Sequence, residues 1–520
     1  MIGLFARAAR ATLDSAEKRF ARWLLALPWR HILVALPVLL VLTVIYAFMA
    51  SSGTFKDLGQ AHRYADMATG FERGHLYIST RPSPALLAQE DPLHPANKDL
   101  WIWDATLYKG RYYFYWGPVP ALLLMALKAL IGVENVSDQT LTLVFMLGRL
   151  YAGAALILGV GRALGTREYP WLVALAIAAF GLSSPIPFTL ARPYIYEACL
   201  AAGQCFLFFG LALAMWGIQS TRSRSLKFLL AGICWGLAIG SRVTMTISVP
   251  VIIAATVAVV WLRSDRTWRG LVTNALCLGT PVAAALAAYA AYNYVRFESV
   301  TEFGTTWQLS TQRFVTNPAH VIPNIYSYLF APVEWSCRFP FVMAVDHRPL
   351  ASWIDWPLDY STFELVGGIF VLSAWCWLSL VPLYQTIYEA LARLRGRSLV
   401  NTFRLSTGEL WVALCAIAML LSMLPVIGLW EASMRYAGDA IGGVTLAAAL
   451  AAFRLRRRID ASGKPWSKVG VRVLLVALGL HTCVVGTFSG VTSYTDPFKK
   501  NNPKLYDSLQ RSWSFCASRA

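Results

Sequence analysis

Charge is what this sequence has least of. Only 14% of its 520 residues are Asp, Glu, Lys or Arg, while 57% are apolar. A soluble domain carries about 25% charged residues. Together with a mean hydropathy of +0.51, that shortage excludes an ordinary water-soluble fold and points to a polytopic membrane protein. Several signatures are also missing. There is no P-loop, no GxGxxG, no HExxH and no GxSxG. No stretch is long and polar enough for a soluble nucleotide-sugar domain of about 100 residues. A donor substrate would therefore have to reside in the membrane. The nine cysteines show no CxxC or other metal spacing. Most lie in apolar runs, as small apolar residues do. Cys337 and Cys516 fall in segments placed outside the membrane, where a disulfide between them is admissible.

What is present is basic. Lys and Arg number 46 against 28 acids, a net charge of +18. The cations concentrate in short loops between apolar runs, as cytoplasmic loops do, so the excess argues for topology and against a nucleic-acid partner. Residues 1–30 form a basic amphipathic segment (Arg7, Arg10, Lys18, Arg19, Arg22, Arg30) with no convincing signal-cleavage site. It reads as a cytoplasmic helix lying on anionic lipid.

A spanning helix needs about 20 mainly apolar residues. Eleven such spans are expected, at 32–50, 141–164, 171–190, 198–217, 228–240, 246–262, 271–292, 366–384, 410–429, 437–453 and 473–491. The run from Tyr113 to Val133 is apolar too, but counting it as a span would invert every later basic loop, so it reads as a helix against the outer leaflet. The transmembrane domain then covers 31–492. It carries two long extracytoplasmic loops, 51–140 and 295–365, and is followed by an extracytoplasmic tail, 493–520. The fold class is an all-α bundle.

Side chains able to do chemistry gather in the first loop. Asp57 lies shortly after the first span, where a carboxylate reaches both water and a lipid headgroup; that suits a general base, and the alternative is a solvated loop or helix-capping residue. His62 and Asp66 follow. If Asp57 and Asp66 shared a helix, nine residues would put them on opposite faces. Asp104 precedes an aromatic run containing Tyr113 and Trp116, a pairing that suits a sugar ring and its hydroxyls, although aromatics also collect at membrane interfaces. No metal is certain; the histidines and acids leave room for a divalent cation without a tight ligand spacing. Arg242 stands at the outer end of a span, and Arg435 and Arg192 in short outside turns, where guanidinium groups suit a phosphate; snorkelling to the interface or pairing with Glu197, Glu431 or Asp439 is the alternative.

With those residues in view, the layout resembles the GT-C superfamily of membrane glycosyltransferases: one span, then a long outside loop with an early acid, here Asp57, and juxtamembrane helices. Gly117-Pro118-Val119-Pro120 through Gly132 is similar to the juxtamembrane helix before the second span. Gly236-Leu237-Ala238 with Arg242 is similar to a recurrent GLA-x-x-x-K/R pattern, and Arg435-Tyr436 to another family feature. The resemblance implies transfer of a sugar from a polyprenyl-phosphate donor to an acceptor hydroxyl on a glycan, lipid or surface protein, at the periplasmic face of a bacterial inner membrane. It implies Asp57 as general base, and Arg242 and Arg435 as donor-phosphate ligands. Many members pair two acids early in the loop, whereas here Lys56-Asp57 stands without an adjacent second acid. A transporter or lipid-linked-glycan flippase is the competing class; it would place ionisable groups at mid-membrane.

Overall fold

The computed structural model describes residues 29–59, 61–164, 169–220, 222–263, 266–311, 316–394, 405–461, 463–492 and 496–516. Nearly all of the basic segment 1–30, and Arg395, Arg397 and Arg404, lie outside the described residues. The apolar runs become helices. The first, α1 (Trp29–Ala50), leads into a loop holding α2 (Arg63–Glu72), the hairpin β1 (Thr106–Tyr108) and β2 (Arg111–Tyr113), and α3 (Val119–Ile131). Next come α4 (Asp138–Ala163), α5 (Pro170–Leu182), α6 (Ile186–Ala191), α7 (Ile195–Gln219), α8 (Arg224–Ser241), α9 (Met245–Arg263) and α10 (Trp268–Phe297). The second long loop holds α11 (Val321–Phe330) and the hairpin β3 (Val333–Trp335) and β4 (Val342–Ala344). The chain finishes with α12 (Leu380–Leu394), α13 (Thr407–Leu421), α14 (Met434–Ala461), α15 (Pro465–Val491) and α16 (Pro503–Trp513).

Among the described residues seven helices, α1, α4, α7, α9, α10, α14 and α15, are long and apolar enough to cross a membrane, and the chain is an integral membrane protein. At 13 residues, α3 is about 20 Å long and too short to cross. Two expected spans are broken rather than continuous. The run 171–190 divides into α5 and α6 around Ser183-Ser184-Pro185, where proline cannot continue the ladder. The run 366–384 divides into a single turn, Ile369–Leu372, a 3₁₀ stretch, Ala374–Ser379, and then α12. Hydroxyls satisfy the freed backbone there: Trp375 N–H donates to Thr482 Oγ1 (2.8 Å) and Ser184 N–H to Ser373 Oγ (3.0 Å). An irregular backbone at membrane depth persists only when buried protein groups meet its donors in this way.

Side-chain contacts sort the helix ends into two sets. Tyr169, just before α5, bonds to Asp460 near the end of α14. Arg454 pairs with Glu409 at the start of α13 (2.8 Å), and Arg456 donates to Lys468 O near the start of α15 (3.0 Å). Arg456, Arg457 and Arg458 thus belong with the end of α4. Asp57 belongs with its start, accepting from Thr140 Oγ1 (2.8 Å) and from Ser137, the residue capping α4. The first-loop acid and the most basic loop therefore lie at opposite ends of the bundle, as the charge pattern demands.

At the Asp57 end the two long loops lock together. Asp104 N–H donates to Leu309 O (3.0 Å) and Leu309 N–H to Ala105 O (2.8 Å). A disulfide joins Cys337 to Cys516 across 179 residues of sequence, tying α16 to the second loop. At the start of α3, Gly117 sits so close to the end of α8 that an added Cβ would lie 2.2 Å from Gly240 O. Only glycine permits that approach, and it fixes α3 against α8.

Candidate active site

Because α3 is held against α8, and α8 and α10 meet through small residues, a long apolar groove of about 700 Å³ opens between the three helices. Gly236, Gly240, Ala284, Ala285 and Ala288 leave the space; Leu122, Met125, Ile233 and Leu237 make the walls. Tyr289 lines it and is also a wall of the next cavity.

That second cavity, the inner chamber, measures about 290 Å³ and contains Arg242, Thr244, Cys199, Trp116 and Tyr436. Arg242 follows the last residue of α8 in an extended conformation (φ −145°), so its side chain leaves the helix axis sideways. Its Nε donates to Asp439 Oδ1 (2.6 Å), and Asp439 Oδ2 accepts from Thr244 Oγ1 (3.0 Å). Arg242 Nη1 is 3.6 Å from Cys199 Sγ, while Nη2 is buried with no hydrogen-bond partner among the described residues. One edge of the guanidinium is thus anchored on Asp439, and the other holds a buried donor left unused.

A third cavity of about 270 Å³, the acidic chamber, shares Tyr115, Tyr196, Leu429, Arg435 and Tyr436 with the inner chamber. Glu364 organises it. Its Oε1 accepts from Ser433 Oγ (2.9 Å) and Met434 N–H (2.9 Å) at the start of α14, where an anion is favoured by the helix dipole. Its Oε2 faces Arg435 Nη1 (3.4 Å) and Arg192 Nη1 (3.8 Å). Asp104 accepts from Gln308 Nε2 (2.8 Å) and from the Tyr196 hydroxyl. Burial raises the Asp104 pKa, with Gln308, Arg435 and Arg192 opposing. Burial, with the like charge of Glu364, pushes Glu431 up to about 8 against the pull of Arg435 and Arg192. Glu431 Oε2 is buried without a partner among the described residues.

A fourth cavity, the outer cleft, is about 480 Å³ and holds His62, Arg63, Asp66 and Tyr194. It shares Trp103 and Tyr196 with the acidic chamber, and Trp116 and Tyr196 with the inner one. Burial raises the Asp66 pKa, opposed by Arg63 and His62, and the carboxylate makes no hydrogen bond to the described residues. The four cavities therefore adjoin: the groove meets the inner chamber at Tyr289, and the inner chamber, the acidic chamber and the outer cleft meet one another around Tyr196.

The expected site residues divide on this geometry. Arg242, Arg435, Arg192, Asp104, Trp116, His62 and Asp66 all line one of the adjoining cavities. Tyr113 does not: it is buried in β2 against Phe297 (5.3 Å) and Tyr77 (6.2 Å). Asp57 does not line them either. It is exposed, before α2 begins, so it shares no helix with Asp66. Its Oδ1 accepts from Gly59 N–H (2.9 Å) and its Oδ2 from Ser137 and Thr140 (2.8 Å for Thr140). Burial alone would raise its pKa, but the bonds from Ser137, Gly59 and Thr140 outweigh that and hold it below the usual carboxylate range. No group of three His, Cys, Asp or Glu suited to a metal occurs among the described residues. Sequence reasoning missed Tyr196, Gln308 and Glu364, and saw Glu431 and Asp439 only as pairing partners. The shared signal was available: scarce acids beside aromatics at span ends.

No family model matches the chain, and no curated protein does. Solved structures do. The apo oligosaccharyltransferase of Archaeoglobus fulgidus matches at 13% identity and TM-score 0.47, over 88% of this chain and 56% of that one. The same organism's AglB, in complex with an inhibitory peptide and a dolichol-phosphate, matches at 12% and 0.44, over 88% and 56%. ArnT from Cupriavidus metallidurans bound to undecaprenyl phosphate matches at 13% and 0.41, over 91% and 77%. The layout is similar to theirs. This chain spans just over half the length of the archaeal enzyme, and nothing about its site rests on these likenesses.

Proposed function

We propose that this chain is a membrane glycosyltransferase that moves a sugar from a polyprenyl-phosphate carrier to an acceptor hydroxyl at the periplasmic face of a bacterial inner membrane. The observation that carries the reading is the set of adjoining cavities: an apolar groove opens beside a chamber holding a buried arginine with an unused donor, and an acid-lined chamber and an outer cleft meet that chamber around Tyr196. An isoprenoid chain fits the groove by apolar burial. Its phosphate meets Arg242, with Arg435 and Arg192 beyond. The sugar occupies the acidic chamber, its ring against Tyr196, Trp116 or Trp103 and its hydroxyls on Asp104 and Gln308.

In the reaction, the acceptor oxygen attacks the anomeric carbon and the bond from that carbon to the phosphate oxygen breaks. The electron pair stays on the phosphate, where the guanidinium groups neutralise it. The acceptor proton passes to a carboxylate. Asp66 suits that task best. Glu364 is engaged at the start of α14, Asp104 already accepts two hydrogen bonds, and Glu431, raised to about 8 by burial and Glu364, holds its proton more tightly than an ordinary glutamate. Asp57 ties its loop to the start of α4 by accepting from Ser137 and Thr140.

The test uses the purified full chain with undecaprenyl phosphate as probe. Stoichiometric binding by native mass spectrometry, lost in Arg242→Ala, is expected. Transfer from undecaprenyl-phosphate-linked arabinose, mannose, glucose or galactose to added glycan or lipid acceptors should depend on Asp66. Failure to bind the probe overturns the reading.

A further inference from the structure

Helix α11 in the second loop is built inside out. Its exposed positions, Ile322 (65%), Ile325 (41%) and Phe330 (42%), fall with half-buried Tyr326 and Leu329 at i, i+3, i+4, i+7 and i+8, one continuous face. Every residue on that face is apolar or aromatic. The buried face is polar: Asn324 Nδ2 donates to Ile427 O (2.9 Å) and Leu429 O (2.7 Å), and Tyr360 Oη donates to Asn324 Oδ1 (2.9 Å). Ser327 Oγ bonds His347 Nε2 (2.8 Å), and Ser433 N–H donates to Tyr328 Oη (3.3 Å). A helix surrounded by water places these faces the other way round.

We infer that α11 lies in the outer leaflet of the bilayer, its apolar face among lipid chains and its polar face clamping the strand of chain that carries Glu431. Two observations name lipid as the occupant. Phe330 packs on Phe370 (5.7 Å) and Trp377 (6.2 Å), which open the broken pass into α12. Exposed Trp377, Leu380, Val381 and Tyr384 carry that surface on down the pass, so the face of α11 continues a membrane-spanning surface. Beside Tyr326 stands exposed Trp353, ring centroids 5.6 Å apart; tryptophan anchors at the headgroup level. At 10 residues the helix is about 15 Å long, too short to cross, so it lies within one leaflet. Its consequence is mechanical. Asn324 and Tyr328 grip residues 427–433, and Leu429, Trp430 and Glu431 are walls of the acidic chamber. Bilayer contact at α11 thereby sets the shape of that chamber.

The test measures depth and needs no substrate. A nitroxide is attached at Ile322→Cys or Ile325→Cys in the full chain, its seven free cysteines replaced by alanine, and the protein is placed in anionic phospholipid vesicles. Lys98→Cys, in an exposed polar stretch of the first loop, serves as the aqueous reference. The ratio of oxygen to nickel-chelate accessibility should rise roughly threefold or more over that reference, as expected for acyl-chain burial of about 5–10 Å. A ratio equal to the reference places the face in water and overturns the inference. Exclusion of both reagents assigns it to a second copy or another protein, and also overturns it. Neither result depends on whether the chain transfers sugar.

Discussion

The two ends of the bundle use the same residue to opposite purposes. At one end Arg454 pairs with Glu409 and Arg456 with Asp460 (2.9 Å). At the other, Arg242 pairs with Asp439 and Arg435 with Glu364. Pairing alone does not separate them, and neither does burial. What differs is the space beside the pair. Arg242 and Arg435 border cavities that run on to an apolar groove, whereas Arg454 and Arg456 line none of the cavities described above. Cations at the first end fix which way the chain lies; cations at the second can meet a ligand.

The comparison breaks most cleanly by removing one cation from each end. Arg242→Ala should abolish undecaprenyl phosphate binding and cut transfer by about 100-fold or more. It should also lower thermal stability by roughly 3–5 kcal/mol, because Asp439 stays buried without its partner. Arg456→Ala should leave lipid binding intact and change stability by about 1 kcal/mol or less, since Asp460 is partly exposed. Equal loss of binding in both would erase the distinction between the ends.

The acids sharpen it next. Asp66→Asn should cost about 100-fold in transfer with lipid binding unchanged, as for loss of a general base. Asp57→Asn should cost about threefold or less, because its work is to accept bonds from Ser137, Thr140 and Gly59. If the order reverses, with Asp57→Asn inactive and Asp66→Asn active, the base lies outside the cleft walls and the proposed chemistry must move with it.

How far these contrasts were legible in the sequence depends on the distance over which each residue acts. The helices, the short α3 and the opposite placement of Asp57 and Arg456 follow from hydropathy and loop charge, which are local. Arg242 and Arg435 stood out because most cations belong to the basic loops at the opposite end, so a guanidinium on this face asks for a partner. The breaks near Ser184 and Ser373 were invisible, since the hydroxyl that satisfies Trp375 N–H comes from Thr482, 107 residues away. Asp57 and Asp66 illustrate the same limit. Both are first-loop acids, and only the fold shows one with its oxygens bonded to the start of α4 and the other facing a cleft. Glu364 was hidden because its partners, Ser433 and Arg435, lie about 70 positions on.

A smaller effect is expected from narrowing the groove. Ala288 faces it and is exposed, so Ala288→Trp fills the space without disturbing the packed interior. The lipid chain is bound equally in ground and transition states, so KM for the donor should rise about tenfold while kcat holds. A fall in kcat with KM unchanged would show the groove shaping the chemical step instead.

The subtlest test is in pH. Glu431 has an ordinary pKa of 4.5 that the fold raises to about 8, so the folded state binds its proton more tightly than the unfolded one. Its contribution is therefore fully present below the unfolded pKa and is lost as pH rises toward the folded value. Between about pH 5 and 8 the native chain should melt at progressively lower temperature, and Glu431→Gln, which cannot ionise, should flatten that slope without lowering stability at pH 8. The cause lies in the acidic chamber: burial and Glu364 oppose the second negative charge more than Arg435 and Arg192 favour it. A slope unchanged by Glu431→Gln would mean that those two arginines already balance both acids, and that Glu431 is ionised and available as a base at neutral pH.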